Sequence, residues 1–519
     1  MRAIASLLWR QRRTVCAGAL CAVALAACGG GGVPGPATAA PRVFIDVVAA
    51  LPRDLDPADD AQGDGFDALE SSLAATLVRP AAAPLGAAKL APADAVVGFL
   101  ASRWQRLAGG DYVFELRHGV RSAFGHSLRA SDVVFSFRRE LARSSTARAL
   151  AAAARIRLSD PVSALGAERV RVNVTAASPL TLAVLADFRF GVLDGRAVRA
   201  HERGVDGGHA WLATHLASYS PYALAAFTPG SRVFLRALAH PFEPLAYDHV
   251  AIEAGSGSAL ALADLAGAEA SHTSDLRWAA YAAATATSGL LVRTLPSTAV
   301  RTFVPDERFA PFANVLVRRA ISLCLDRSAI AQAAFAGFAP PARHPLPSAL
   351  ALPADVAQPS YTRDVTRARR LLARAGYPRG FAFTLGGADA AERAAIASQL
   401  RAIGLRVRTS QGGARADARL ATVSSPVASA GLWIVSNYVR GSAGDVEGFD
   451  APALDALAAP LLSAASPAAA LSRALGILAS QLPVIPLVEV PWQLVSRERI
   501  AGYAAYPGGS IYYDRLRPS

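Results

Sequence analysis

The stretch that decides the fold covers residues 100–137 and reads LASRWQRLAGGDYVFELRHGVRSAFGHSLRASDVVFSF. Within it, Tyr112–Leu116 alternates apolar with mixed side chains after the turn residues Gly109-Gly110, which predicts a strand. Ser131 is a typical N-cap, and the Asp132 carboxylate suits the first turn of a helix. The stretch therefore predicts a strand that is followed by an amphipathic helix.

The same alternation of strand and helix extends along the rest of the chain. The apolar, β-branched run Arg42–Val48 predicts a buried first strand. Further along, Asp364 caps a predicted helix that ends at Gly376, and another helix ends at Gly404 before the strand Leu405–Val407. This order predicts an α/β protein.

The composition indicates a folded protein and excludes several chemistries. The chain has 519 residues, of which 52% are hydrophobic and 18% charged, so it has enough apolar residues to build a large core. Lys89 is the single lysine. Because it stands in no Walker A or Ser-x-x-Lys motif, the enzyme classes built on those lysines are excluded.

The basic charge does not indicate a nucleic-acid partner. The chain has 53 Lys+Arg and 40 Asp+Glu residues. Arginines concentrate near the N-terminus, and the densest later run, Arg363 to Arg374, has the pattern of a solvated helix face. We therefore expect no nucleic-acid partner.

The N-terminal residues predict export from the cytoplasm. Met1–Arg13 is positively charged and the apolar run Thr14–Ala24 is too short to span a bilayer of about 30 Å, so residues 1–27 are predicted to be a signal peptide. Leu25-Ala26-Ala27-Cys28 resembles the lipobox of bacterial lipoproteins, which implies that Cys28 is lipidated. The alternative is an ordinary signal peptide with an incidental cysteine. Residues 28–40, rich in glycine and proline, predict a flexible tether.

Cysteine and histidine patterns indicate neither a metal site nor a cofactor. Beyond residue 28 only Cys324 remains, on the apolar stripe of a predicted helix Val315–Phe335, which favours a buried inert thiol. The nine histidines form no His-Glu-x-x-His motif.

Several segments, in order, resemble the family 5 extracytoplasmic solute-binding proteins of ABC importers, the group that includes oligopeptide-, dipeptide- and nickel-binding proteins. The segments that carry the resemblance are Leu55-Asp56-Pro57, residues 100–137, Ser218-Tyr219-Ser220-Pro221-Tyr222, residues 314–330, residues 368–378 and residues 481–486. Their shared order is more specific than any one of them.

The resemblance implies a two-lobed α/β fold of the type II periplasmic binding proteins, with an extra subdomain inserted in the N-terminal lobe. The lobes would close on a ligand about a hinge. We expect lobe I to comprise residues 41–80, 168–295 and 490–519, the inserted subdomain residues 81–167, and lobe II residues 296–489.

The chain departs from the family pattern where peptide-binding members place an aspartate for the ligand's amino group. Ser424 and Ser425 stand in that region. Glu489, between Val488 and Val490, would need a cation if it is buried. The candidate ligand contacts, carried over by position, are Pro52, Arg53, Tyr219, Tyr222, Ser424, Ser425 and Glu489. For the tyrosines core packing is the alternative, and for Arg53 a solvated loop.

The resemblance implies a binding protein without catalysis that captures a small solute, peptide-like or other, and delivers it to an ABC permease. We expect a monomer outside the cytoplasm, held to a bacterial membrane by a lipid anchor. A degenerate sensor or interaction module is the alternative. A secreted hydrolase is less favoured because no Gly-x-Ser-x-Gly motif is present.

Overall fold

Three sheets organise the described chain. The computed structural model describes residues 41–519, except 59–68, 70–71, 241, 243, 256–260, 264, 266–271, 274–275, 388, 411–415, 443–448, 464–466 and 498. The predicted signal peptide, the tether and Cys28 lie outside the described residues. Residues Arg42–Ser519 form one compact unit.

The first sheet has seven strands, which are β1 (Val43–Val48), β8 (Tyr222–Thr228), β9 (Arg232–Ala237), β10 (His249–Ala254), β11 (His272–Thr273), β12 (Leu290–Leu295) and β18 (Trp492–Arg497). Their order across the sheet is β12-β18-β11-β1-β10-β9-β8. Strand β1 pairs in parallel with β10 and β11, and the remaining pairs are antiparallel. The predicted first strand is thus confirmed at the middle of this sheet.

The second sheet has five strands in the order β15-β14-β16-β13-β17. Its strands are β13 (Val300–Pro305), β14 (Ala382–Gly386), β15 (Arg406–Ser410), β16 (Ala418–Val423) and β17 (Ile485–Glu489). Phe303, Phe312 and Phe383 are fully buried against this sheet, with ring centroids 5.1–6.1 Å apart.

The third sheet has four antiparallel strands in the order β4-β5-β7-β6. Its strands are β4 (Ala101–Arg106), β5 (Tyr112–Leu116), β6 (Val162–Ala164) and β7 (Arg169–Val172). Two-stranded pairs join β2 (Val78–Pro80) to β3 (Val96–Gly98) and β19 (Ile500–Ala501) to β20 (Arg517–Pro518). Because β7 pairs with β5, the third sheet extends past residue 167. The lobe and subdomain boundaries themselves stay predictions.

Helices cover the sheets. The α-helices are Ala130–Arg143, Ser145–Ala153, Thr181–Leu185, Gly195–Ala200, His209–Leu212, Trp278–Ala284, Ala310–Ala313, Val315–Cys324, Arg327–Phe335, Val365–Arg374, Ala390–Leu400, Ala430–Tyr438, Pro452–Asp455, Ala458–Leu461 and Pro467–Gln481. Short 3₁₀ helices span Phe188–Phe190, Arg401–Ile403 and Tyr513–Arg515. No helix of the described residues is long and apolar enough to cross a membrane.

The helix after β5 begins at Ala130, so the prediction that Ser131 is its N-cap was wrong. Arg129 is the N-cap, and the Asp132 carboxylate accepts a hydrogen bond from the Arg129 backbone N–H at 2.9 Å. Asp132 also accepts hydrogen bonds from the Gly195 backbone N–H at 3.2 Å and the Tyr219 hydroxyl at 2.9 Å. This carboxylate therefore joins three segments of the chain.

The predicted helix Val315–Phe335 is two helices. The first ends at Cys324, and Asp326 caps the second through the Ala329 backbone N–H at 3.0 Å. Cys324 is fully buried, as predicted, and burial raises the pKa of its thiol.

Two short segments carry the chain between the seven-stranded and five-stranded sheets. Residues 296–299 join β12 to β13, and residues 490–491 join β17 to β18. The segments lie side by side, because the Val490 backbone N–H donates to the Ala299 carbonyl at 2.9 Å and the Ser297 hydroxyl donates to the Val490 carbonyl. All five strands of the second sheet lie in the part of the chain between these two segments.

Candidate functional site

A cavity of about 410 Å³ lies where these two crossing segments meet. Thr298 and Ala299 of the first segment line it, as do Val490 and Pro491 of the second. Its other walls come from the end of β16, from the loop before β3, from the chain around Phe188 and from the C-terminal segment 506–512. The cavity thus touches residues from both larger sheets, and any turning of one sheet against the other would change its volume.

Hydroxyl groups line the side of the cavity that follows β16. Ser424 is exposed at the cavity, and its carbonyl accepts a hydrogen bond from the Asn437 side-chain amide at 2.9 Å. Ser425 is buried, and its hydroxyl donates to the Val427 carbonyl at 2.9 Å. Ser424 is therefore the more accessible of the two serines, whereas the Ser425 hydroxyl stabilises the turn.

Ser425 also connects this turn to the first crossing segment. The Thr298 hydroxyl donates to the Ser425 carbonyl at 2.7 Å and accepts from the Ser425 backbone N–H at 3.1 Å. The Trp433 indole N–H donates to the Thr298 carbonyl at 2.9 Å. The position of the serine turn is therefore fixed relative to the crossing segment.

One ion pair accounts for the charged side chains among the described residues that line the cavity. Asp187 and Arg189 both line the cavity, and their side chains are 4% and 10% exposed. The Arg189 guanidinium lies 3.2 Å from the Asp187 carboxylate, which also accepts from the Arg189 backbone N–H at 3.0 Å. The two charges offset each other, so this part of the wall carries no net charge.

Aromatic rings form the wall that follows the second crossing segment. Trp492, Tyr506 and Tyr512 line the cavity, and the two tyrosine rings meet edge to face at 4.6 Å. The Arg79 guanidinium lies 4.3 Å from the Tyr512 ring centroid and pairs with Asp514 at 2.8 Å. Burial raises the pKa of both tyrosines, so their hydroxyls stay protonated near neutral pH and can donate to a ligand.

Four of the candidate contacts lie elsewhere. Pro52 is buried and Arg53 is exposed, and neither lines the cavity. Tyr219 is fully buried with its hydroxyl on Asp132, and the Tyr222 hydroxyl donates to the Tyr247 carbonyl at 3.0 Å. Both tyrosines are buried with their hydroxyls bonded inside the protein, as in the core-packing alternative, and a ligand contact by either of them stays a prediction.

Glu489 is likewise not among the residues that line this cavity, and a ligand contact by it stays a prediction. Its carboxylate accepts hydrogen bonds from the Ser348 backbone N–H at 2.9 Å and the Ser348 hydroxyl at 2.5 Å. The side chain is half-buried, so hydroxyl and backbone donors satisfy it without a cation. Ser424 and Ser425 are thus the two candidate contacts that the structure brings to the cavity.

Sequence reasoning missed Thr298, Trp492 and the pair Asp187 and Arg189. The pair had no recognisable spacing, because the cavity forms from segments that are distant in sequence. Trp492 offered a signal: it begins a strand directly after Val490-Pro491, where the chain changes sheets. The described residues contain no cluster of His, Cys, Asp or Glu that could hold a metal ion.

Comparison with known proteins places the chain in a family. The model of the bacterial extracellular solute-binding proteins, family 5 middle, matches residues 95–437, more than half of the chain. A glutathione-binding protein, GsiB of Shigella flexneri serotype 5b, is 40% identical over 75 residues, which are 14% of this chain and 15% of that protein. Heme-binding protein A of Haemophilus influenzae is 43% identical over 72 residues, 14% of this chain and 13% of that protein.

Solved structures match nearly the whole chain. The periplasmic binding protein DppA from Helicobacter pylori, in complex with the peptide STSA, has a TM-score of 0.78 at 18% identity and covers 92% of this chain and 98% of its own. A dipeptide-binding protein from Pseudoalteromonas sp. SM9913, in complex with Met-Leu, has a TM-score of 0.78 at 18% identity and covers 92% of this chain and 100% of its own. The predicted two-lobed α/β type II fold is confirmed, and the chain belongs to the family 5 bacterial extracellular solute-binding proteins.

Proposed function

We propose that this protein captures a small solute, peptide-like or other, in the cavity at the crossing segments and delivers it to an ABC permease. The observation that carries the proposal is the position of the cavity, which is lined by both crossing segments and by residues of both larger sheets. A ligand there gains contacts from both sides when the lobes close, so binding shifts the population toward the closed form. The family match supports the solute-binding role.

The wall chemistry suits reversible binding rather than a reaction. Its described polar groups are mainly hydroxyls, and its charged side chains pair with each other. We infer that the protein has no catalytic activity and acts as a monomeric extracytoplasmic lipoprotein anchored through Cys28. The similar proteins include a glutathione-binding protein, a heme-binding protein and a protein in complex with a peptide, which supports a search among such solutes.

Native mass spectrometry of protein purified from its own host tests the proposal. We expect a co-purified small molecule that is released on denaturation. A Ser424→Trp variant, which would place a large side chain in the cavity, should lose that molecule, and Thr175→Trp at an exposed site is the matched control. An empty cavity in the wild-type protein, together with no heat of binding for any solute tested, would favour the sensor or interaction module instead.

A further inference from the structure

One end of the five-stranded sheet carries a concentration of arginine side chains. Between residues 363 and 408 the sequence has ten arginines and three acidic residues. Eight of these arginines are exposed and stand on neighbouring segments; we call them the arginine patch, and they are Arg367, Arg369, Arg370, Arg374, Arg379, Arg401, Arg406 and Arg408. The sequence alone showed one helix face, whereas the structure adds arginines from three further segments.

The helix Val365–Arg374 supplies four members of the patch. One face of the helix packs on the core, and the four arginines are exposed outside that face. The Arg369 Nε donates to the Ala402 carbonyl at 2.8 Å. The 3₁₀ helix Arg401–Ile403 therefore lies directly beside the longer helix, and the exposed Arg401 extends the patch to that side.

The starts of β14 and β15 bring in the other three arginines. The Arg406 backbone N–H donates to the Phe381 carbonyl at 2.9 Å. A Cβ atom on Gly404 would lie 3.0 Å from the Arg379 carbonyl oxygen. Arg379 and Arg406 therefore stand on chain segments that touch each other. Arg408 lies two residues further along the edge strand β15, on the same face as Arg406.

The three acidic residues of this stretch are engaged elsewhere. Asp364 and Asp389 accept hydrogen bonds from backbone N–H groups at the starts of their helices, at 2.8 and 2.7 Å. Glu392 is buried and pairs with Arg301 at 2.8 Å. In the part of the chain that the structure describes, no arginine of the patch forms an ion pair. The patch therefore carries a surplus of positive charge at the surface.

The patch and the cavity lie at opposite ends of the five-stranded sheet. Strand β14 is parallel to β15 and to β16. Ser424 and Ser425, at the cavity, follow the C-terminal end of β16. Arg379 and Arg406 stand at the N-terminal ends of β14 and β15. A partner on the patch therefore meets the end of the sheet that is remote from the solute.

Several exposed arginines favour a broad anionic surface over a single small anion. One exposed contact between opposite charges stabilises a complex little, whereas a surface with many phosphates contacts several guanidinium groups at once. The helix Val365–Arg374 and β15 contain no aromatic residue, so they lack the rings on which nucleic-acid bases stack. The predicted tether, residues 28–40, spans at most roughly 45 Å and would keep the folded chain close to a membrane.

We propose that the arginine patch holds the protein on the anionic phospholipid surface of the membrane that the tether reaches. Each arginine near an anionic bilayer strengthens binding about fivefold, so eight of them give a firm but salt-sensitive contact. The inference goes beyond solute capture, and its choice of partner rests on the anchoring in the proposed function. In this orientation the cavity lies at the end of the sheet away from the membrane.

Flotation with lipid vesicles tests the inference on the full-length Cys28→Ala protein, which cannot be acylated at residue 28. We expect this protein to bind vesicles of phosphatidylcholine mixed with phosphatidylglycerol. It should bind vesicles of phosphatidylcholine alone much more weakly, and high salt should release it from the anionic vesicles. Equal binding to both kinds of vesicle, or binding to neither, would overturn the inference.

Charge reversal locates the contact. Arg367→Glu, Arg370→Glu and Arg374→Glu together should weaken binding to the anionic vesicles roughly 100-fold or more. The matched control, with the same change in net charge, reverses three exposed arginines outside the patch, which are Arg106, Arg236 and Arg473. Equal weakening in the two triple variants would overturn the inference, because net charge alone would then explain the binding. The N-terminal residues are the same in both variants and do not affect this comparison.

Circular dichroism checks that the variants fold. If the charge-reversed patch does not fold, glutamine at the same three positions keeps the helix-forming character and should still weaken binding to the anionic vesicles. Tighter binding to a single-stranded DNA oligonucleotide than to these vesicles would overturn the choice of partner. No solute is present in any of these measurements, so their failure leaves solute capture to be decided by native mass spectrometry.

Discussion

The backbone of Gly509 lies against the face of the Trp492 indole. A Cβ atom on residue 509 would meet Cδ2 and Cε2 of that ring at 2.5 Å. Gly509 also has φ of +70°, in the left-handed region that disfavours side chains. Glycine is therefore required here for two reasons, the backbone conformation and the close approach of the ring, and the position of the Trp492 ring in the cavity wall depends on it.

Gly509→Ala should displace Trp492 and lower both stability and ligand affinity. We expect a loss of about 1–2 kcal/mol from the backbone conformation and about 1–3 kcal/mol more from the clash. Denaturant unfolding and tryptophan fluorescence measure the two effects. Gly125→Ala is the matched control, because Gly125 has φ of +80° and open space around its Cβ position. Equal losses in the two variants would show that the indole contact is unimportant.

Thr298→Val removes both hydrogen bonds to Ser425 while keeping the side-chain shape. Both groups are buried, so their unpaired partners cost roughly 1–3 kcal/mol of the free energy of unfolding. Urea unfolding should show that loss, together with weaker binding in the cavity. Thr175→Val, at an exposed hydroxyl, should change neither. An unaltered Thr298→Val protein would mean that the turn is held by other contacts.

Glu140 predicts how stability changes with pH. Burial raises the pKa of this carboxyl from 4.5 to about 8; Arg139 and Arg189 lower it, whereas Asp56 and Asp187 raise it further. Glu140 Oε1 has no hydrogen-bond partner among the described residues. The folded state holds the Glu140 proton up to a higher pH than the unfolded state does. The stability that comes from this protonation is therefore fully present below pH 4.5. It is lost as pH rises toward about 8.

Glu140→Gln should remove that dependence. The variant is expected to be more stable than wild type by roughly 2–5 kcal/mol at pH 8 and equal to it near pH 4. Thermal unfolding across this range measures the difference. Glu202→Gln, at an exposed carboxylate, serves as the control. A constant difference between Glu140→Gln and wild type at every pH would contradict the assignment.

Asp56 and Arg139 form a buried ion pair at 2.6 Å, with side chains 0% and 3% exposed. Burial alone would raise the pKa of Asp56, but its bonds to Arg139 and His209 hold it below its ordinary value. Arg139→Met should cost about 3–5 kcal/mol, because it leaves a buried carboxylate without its cation. The double variant Asp56→Leu with Arg139→Met should recover part of this loss in denaturant unfolding. No recovery would show that the two residues act independently.

Cys28→Ala tests the lipid anchor. We expect the variant to leave the membrane fraction or to accumulate as an uncleaved precursor, as judged by fractionation and immunoblotting. Cys324→Ala is the matched control, since Cys324 is buried and away from the N-terminus. Unchanged membrane association of Cys28→Ala would rule out the anchor.

Local sequence patterns predicted the elements better than their ends. Alternation in Tyr112–Leu116 correctly predicted β5. The N-cap at Ser131 was wrong because Asp132 reaches back to the Arg129 backbone, a reciprocal cap that places the helix start earlier. The break after Cys324 was missed although Asp326, a strong N-cap residue, was visible in the sequence.

The candidate site was harder to predict because it depends on which face of each helix or strand meets another segment of the chain. Ser424 and Ser425 follow β16 directly and were identified from their position in the order of the family's motifs. Both line the cavity. The direction of the Glu489 side chain depends on alternation along β17 and on the hydrogen bond from Ser348. The residues next to Glu489 in the sequence indicate neither.

The side-by-side arrangement of the two crossing segments has a mechanical consequence. Because Val490 is hydrogen-bonded to Ala299 and to Ser297, neither segment can twist without the other, and the pair acts as a single axis of rotation. Trp492 follows directly after this pair and lines the cavity beside it, so we expect a turn about the axis to move its indole. A solute in the cavity is therefore expected to favour one angle between the two larger sheets over the others.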